Sequence, residues 1–129
     1  MAKLAITLKD LESLSPCSDR MDVVRDLIKW NGKPVSAKDA RDAGVSFDDL
    51  IWVASAVAKT DKAVERRLRH WMADCAARVL HIFEKERPED PRVRNCIQAA
   101  RDYADGKITD AARAAARAAA WDAARASAR

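Results

Sequence analysis

His70, Asp74 and His81 are the residues whose types could hold a metal ion, because a histidine and a carboxylate four apart share one face of a helix. Helical rotation places all three within about 40 degrees of one another. From Asp74 to His81, however, the helix rises roughly 10.5 Å, too far for one ion to bridge. The expectation is a solvated face carrying an i,i+4 pair, with no metal and no cofactor. General acid–base chemistry would need a carboxylate or histidine held in a pocket. Asp48, Asp49, Asp61, Glu84 and Glu86 fall instead at helix starts or on polar faces, and capping accounts for the first three. With three glycines in all, the chain has no Gly-rich phosphate loop, and neither G-x-S-x-G nor H-E-x-x-H occurs. No residue is assigned a catalytic role.

Cys17, Cys75 and Cys96 are odd in number, widely spaced and free of zinc spacing. Cys75 and Cys96 fall on apolar helix faces, so they are expected to be reduced, buried thiols.

Binding chemistry is better represented. Arg113, Arg117, Trp121 and Arg125 recur every four residues, a slowly rotating ridge on the last helix. Arg and Trp are enriched at interface hot spots. The ridge therefore reads as a contact for a partner protein or a phosphate backbone; the alternative is that Trp121 inserts into the core while the arginines lay their stems along its rim. Trp52 shares the least apolar side of its helix with Asp48 and Ser55, the position of an exposed interface aromatic. Arg94, Gln98 and Arg101 form a smaller polar stripe, read either as a solvated face or, through Arg94 and Arg101, as a further partner contact. The candidate partner-binding set is thus Trp52, Arg94, Arg101, Arg113, Arg117, Trp121 and Arg125.

The elements that position these residues are helices. No segment alternates with period two for long enough to read as a strand, and capping signals recur throughout. Thr7 caps a helix over 8–14, Ser18 one over 19–30, Ser36 a short third and Ser46 a fourth over 47–58. The fourth, with Phe47, Leu50, Ile51, Val53, Ala54, Val57 and Ala58, is apolar nearly all round and is expected in the middle of a bundle. Thr60-Asp61 starts the longest helix, to about Arg87. There Val64, Leu68, Trp71, Met72, Cys75, Val79, Ile82 and Phe83 form a broad stripe, expected to be the principal contributor to the core. Asp90-Pro91 opens the next, with Val93, Cys96, Ile97, Ala100, Tyr103 and Ala104 inward and Gly106 at its end. From Thr109 to Arg129 twelve of 21 residues are Ala, so this piece is helical almost regardless of context.

The class is therefore all-α: a compact single-domain bundle of six to seven helices over 1–129, with N-terminal helices in 1–59, a long helix hairpin, and an Ala-rich last helix. A chain of 129 residues with 49% hydrophobic and 34% charged residues can bury a real core without staples. Charged residues interrupt every apolar run, which excludes a transmembrane helix. Met1 to Asp10 lacks the apolar core of a secretion signal, so a cytoplasmic protein is expected. The net charge of +4 is C-terminal in origin: residues 1–59 carry nine charges of each sign, and 107–129 carry five basic against two acidic. That is a thin basic face for nucleic acid, where each phosphate neutralised adds affinity.

From Trp71 onward the chain resembles the immunity-five-like family of immunity proteins. The resemblance is carried by Ala73-Asp74-Cys75-Ala76-Ala77-Arg78-Val79-Leu80-His81-Ile82-Phe83-Glu84, by Arg87-Pro88-Glu89-Asp90, Arg92, Arg94 and Ile97-Gln98-Ala99-Ala100-Arg101, and by Gly106-Lys107-Ile108 before the Ala/Arg helix. Val93 stands where the family often has Pro, and Trp121 where it often has His, so no role of that His carries over. The resemblance implies an all-α protein without catalysis that acts by binding a protein effector, either a bacterial toxin or, in a phage setting, a defence component. A nucleic-acid module built on the Arg-rich last helix is the alternative. A homodimer through the wide Ala face is compatible with either.

Overall fold

The computed structural model describes residues 5–129; Met1–Leu4, where the segment read for a leader begins, lie outside the described residues. Among the described residues there are seven helices and one two-stranded ribbon: β1 (Ala5–Ile6), α1 (Leu8–Ser13), α2 (Ser18–Ile28), β2 (Val35–Ser36), α3 (Ala37–Asp42), α4 (Phe47–Ala58), α5 (Lys62–Glu86), α6 (Arg92–Ala104) and α7 (Asp110–Ser127). The all-α class holds. The ribbon is an addition to it, pairing Ala5 with Ser36 and Ile6 with Val35 in antiparallel register. Two residues per strand are too few to show alternation in sequence.

Caps explain where the helices start. Thr7 and Ser36 each form a complete capping box with the Asp three residues on, and Ser46 accepts from the Asp49 backbone N–H. Asp61 Oδ1 accepts from the N–H groups of Ala63 and Val64, and Thr109 accepts from Ala112. One expected cap is displaced: α2 begins after Cys17, and Ser18 lies inside the helix with its hydroxyl donated to Asp19. At the other end of α2, Lys29 takes the left-handed conformation.

The chain divides into two compact units, residues 1–64 and 65–129. In the first, Leu11, Met21, Ala40, Val45 and Ala58 are buried. Leu11, Ala40 and Val45 line an apolar cavity of about 90 Å³ together with Ile6, Val24, Trp30, Val35 and Leu50, among others. Helix α4 is not a central helix as its composition suggested. Its apolar residues are mostly half-buried and Phe47 is exposed, because a unit this small has too little interior to enclose a helix on all sides. Ser36 is the one polar residue buried among the described residues, and its hydroxyl both donates to Asp39 and accepts from its backbone N–H. Ser36→Ala removes the cap and leaves that N–H unsatisfied in a tight setting. It is expected to cost about 1–2 kcal/mol in urea unfolding, against a few tenths for the exposed Ser18→Ala.

In the second unit the closest helix packing is between α6 and α7. Ile97 and Ala123 are buried there, the latter at 1% exposure, and Ala116, Ala119 and Ala120 on the same side of α7 are half-buried. Helix α5 runs antiparallel to α6 and is tied to it by ion pairs. As the partner on α5 moves from His70 to Asp74 to Glu84, the partner on α6 or its end moves back from Asp105 to Arg101 to Arg94.

Candidate functional site

The ion pairs of the second unit decide the fate of several candidate residues. His70 Nε2 lies 2.8 Å from Asp105 Oδ1, and Arg66 Nε donates to the same oxygen at 2.9 Å. Asp74 accepts from Arg101 at 2.8 Å. The i,i+4 pair expected between His70 and Asp74 is therefore replaced by two inter-element bonds, because α6 presents Asp105 and Arg101 at matching heights. No group of three metal-binding side chains forms among the described residues, and His81 is exposed apart from the other two.

The carboxylates in these pairs titrate low. The hydrogen bond from His70, then that from Arg66, holds Asp105 below its ordinary value. Arg92 holds Asp90 down to about 2, mainly through its side chain and then its backbone N–H. Asp49 is lowered by Arg20, and Asp10 by the backbone of Thr7. A folded-state value below the unfolded one contributes stability that is present above the unfolded pKa, near 4, and lost as pH falls toward the folded one. Stability is thus expected to stay level from pH 7 to about 5 and to fall between about 4 and 2, measured as the urea midpoint at each pH. A midpoint that falls already between pH 7 and 5 would contradict the assignment.

The arginine ridge divides in two. Arg113 donates to Asp110 at 2.7 Å, and both it and Arg69 stand over the Tyr103 ring, at 4.9 and 4.8 Å from its centroid. Arg125 pairs with Asp122. Arg94 reaches both oxygens of Glu84 at 2.6 Å, and Arg101 is held by Asp74. These are intramolecular fasteners. Arg117, by contrast, is exposed and has no acidic partner among the described residues.

Trp121 is 58% exposed and lies on the side of α7 opposite buried Ala123. It does not enter the core. Trp52 is 44% exposed and lines a groove of about 390 Å³ in the first unit with Cys17, Arg20, Met21 and Asp48. Of the candidate residues, Trp121 and Arg117 are exposed in the second unit, and Trp52 is exposed in the first.

The apolar stripe of α5 is the main correction. Of that stripe Val64, Leu68 and Phe83 are half-buried, but Trp71, Met72, Cys75, Val79 and Ile82 are exposed, whereas Ala73 is buried and Ala77 and Leu80 are half-buried on the other side of the helix. Cys75 is thus an exposed thiol, as is Cys17, and only Cys96 is partly covered. The inward side is the one that also bears His70 and Glu84, which pair with Asp105 and Arg94 across to α6 and its end. Small Ala side chains permit that approach. The reverse order of acids on α5 and bases on α6 was the sequence signal for it.

The match to a protein-family model covers residues 58–129, more than half of the chain and all of the second unit. The family is described as Imm-5 like putative immunity protein. The chain belongs to this Imm-5 like family. Neither the curated proteins nor the solved structures yield a match. Arg117, Trp121 and the outward stripe of α5 all lie within the Imm-5 like segment, while Trp52 precedes it. No helix among the described residues is long and apolar enough to cross a membrane.

Proposed function

We propose that this chain is a non-catalytic immunity-type inhibitor. It acts in the cytoplasm by stoichiometric binding to a bacterial toxin, or to a defence effector when carried by a phage. The observation that carries this reading is the outward Trp121 beside unpaired Arg117 within an Imm-5 like segment. A large aromatic mostly on the solvent side of a helix gains little for the fold. It gains much when a partner removes it from water. Trp52 at its groove is a second anchor. Arg94 and Arg101 tie α6 to α5 and Arg113 stacks on Tyr103 of α6, while Arg125 pairs within α7; all four contribute to contact only at the rim of the surface.

Inhibition by cover needs no pocket and no bond-making: the bound protein occludes the effector's working surface. The test is capture from host lysate, nuclease-treated and washed at near-physiological salt, followed by mass spectrometry and an activity assay of the captured protein. One effector recovered in about one-to-one ratio and silenced by the chain supports the reading. Recovery of nucleic acid alone from untreated lysate, lost steeply with salt, would assign the Arg-bearing helix to phosphate backbone instead.

A further inference from the structure

Met72, Cys75, Val79 and Ile82 are spaced three, four and three residues apart, the seam spacing of a helix that pairs with another helix. The seam extends about 15 Å along α5, and all four residues are exposed, Ile82 at 60%. Helix α6 meets α5 on its Ala73 and Glu84 side, away from these four residues, while Leu68 and Phe83 beside them are half-buried. One edge of the seam carries Arg78 and Lys85, both exposed and without an acidic partner among the described residues. The opposite edge carries Ala76 and Phe83, which are uncharged.

Resting on the binding role argued above, we propose that this seam is the seat for an amphipathic helix of the protein partner. That helix has an apolar stripe and carboxylates along the side facing Arg78 and Lys85. Charge decides between a partner and a second copy of this chain. An antiparallel copy sets each edge against its own like edge, so Arg78 and Lys85 would meet only cations. It would also bury Glu86, on the continuation of the seam, against apolar side chains. A parallel copy sets the cationic edge against Ala76 and Phe83, again with no carboxylate. An acid-flanked helix satisfies both cations while covering the seam.

The test uses Cys75 as reporter and exposed Cys17 as internal control. The full chain is alkylated with iodoacetamide, and the rate at each cysteine is read by mass spectrometry. The probe is a synthetic 21-residue helical peptide with leucines along one face and glutamates along its flanks; the control peptide has lysines in place of the glutamates. The expected result is that the glutamate peptide slows Cys75 at least about tenfold at saturation and leaves Cys17 unchanged, while the lysine peptide does neither. Arg78→Glu and Val79→Asp, each checked for native circular dichroism, should weaken the glutamate peptide by about tenfold or more. Equal protection by both peptides, or by neither, overturns the proposal. Slowing of Cys75 with protein concentration alone, with a doubled mass in solution, overturns it in favour of a second copy. The role and the surface fail separately: if the wild-type chain captures no effector the binding role falls, and if Val79→Asp captures the effector as well as wild type only this surface falls.

Discussion

Ala123→Glu is expected to destabilise the 65–129 unit by about 3–5 kcal/mol, while Trp121→Ala, two residues away, is expected to change stability by less than about 1 kcal/mol. Side-chain size alone would suggest the reverse. The difference lies in which way each residue faces. Ala123 is 1% exposed on the side of α7 that packs closely on α6, so a larger side chain has no free volume to enter. A carboxylate there is moreover stripped of water. Trp121 stands in solvent and leaves no cavity when truncated, and Ala is a better helix former. A small domain has only about 5–15 kcal/mol of stability, so Ala123→Glu should lose much of its cooperative urea transition. Far-UV circular dichroism against urea reads both variants. A wild-type midpoint for Ala123→Glu, or a loss of several kcal/mol for Trp121→Ala, would mean that α7 is rotated relative to this description.

The same outward geometry predicts a large effect on binding. Against the captured effector, Trp121→Ala is expected to weaken affinity by about 30-fold to 1,000-fold, the range of an aromatic hot spot worth roughly 2–4 kcal/mol. Arg117→Glu should weaken it by about tenfold, mostly in the association rate and more at low salt, because this guanidinium is solvated and spends no energy on an internal partner. Arg113→Glu is the contrasting variant. It breaks the bond to Asp110 and the stacking on Tyr103, so its first effect is expected on folding. Surface plasmon resonance at two salt concentrations separates these outcomes. If Trp121→Ala bound as wild type, α7 would not be the contact surface.

The position of α5 shows how local and tertiary information divide. Periodicity located the helix and its apolar stripe correctly, since both follow from 100 degrees of rotation per residue. It does not say which side of a helix meets its neighbours. Here the side of Ala73 faces α6, where ion pairs link His70, Asp74 and Glu84 to Asp105, Arg101 and Arg94, while Trp71, Met72, Val79 and Ile82 remain exposed. The usual rule that the apolar face is the core face assumes that folding alone selects it. A chain that must also bind can keep such a face for its partner. Cys75 was misplaced for the same reason, being on the stripe.

In α6 the two agree: Val93, Cys96, Ile97, Ala100, Tyr103 and Ala104 are all buried or half-buried, because polar Arg94, Gln98 and Arg101 leave only one face to bury. Trp121 lay between these cases, as a position flanked by Arg117 and Arg125 at i−4 and i+4 and otherwise mostly by Ala suits either an outward ridge or a core insertion with an arginine rim.

What the sequence determined by itself was the helical class, most helix starts and the family, because caps, Ala content and turn residues act over a few positions and need no distant partner. Which face of each helix turns inward, which arginines are spent on internal pairs, and which aromatics are left to solvent were decided only by the tertiary structure, because each depends on residues some 10 to 40 positions apart meeting at the right height.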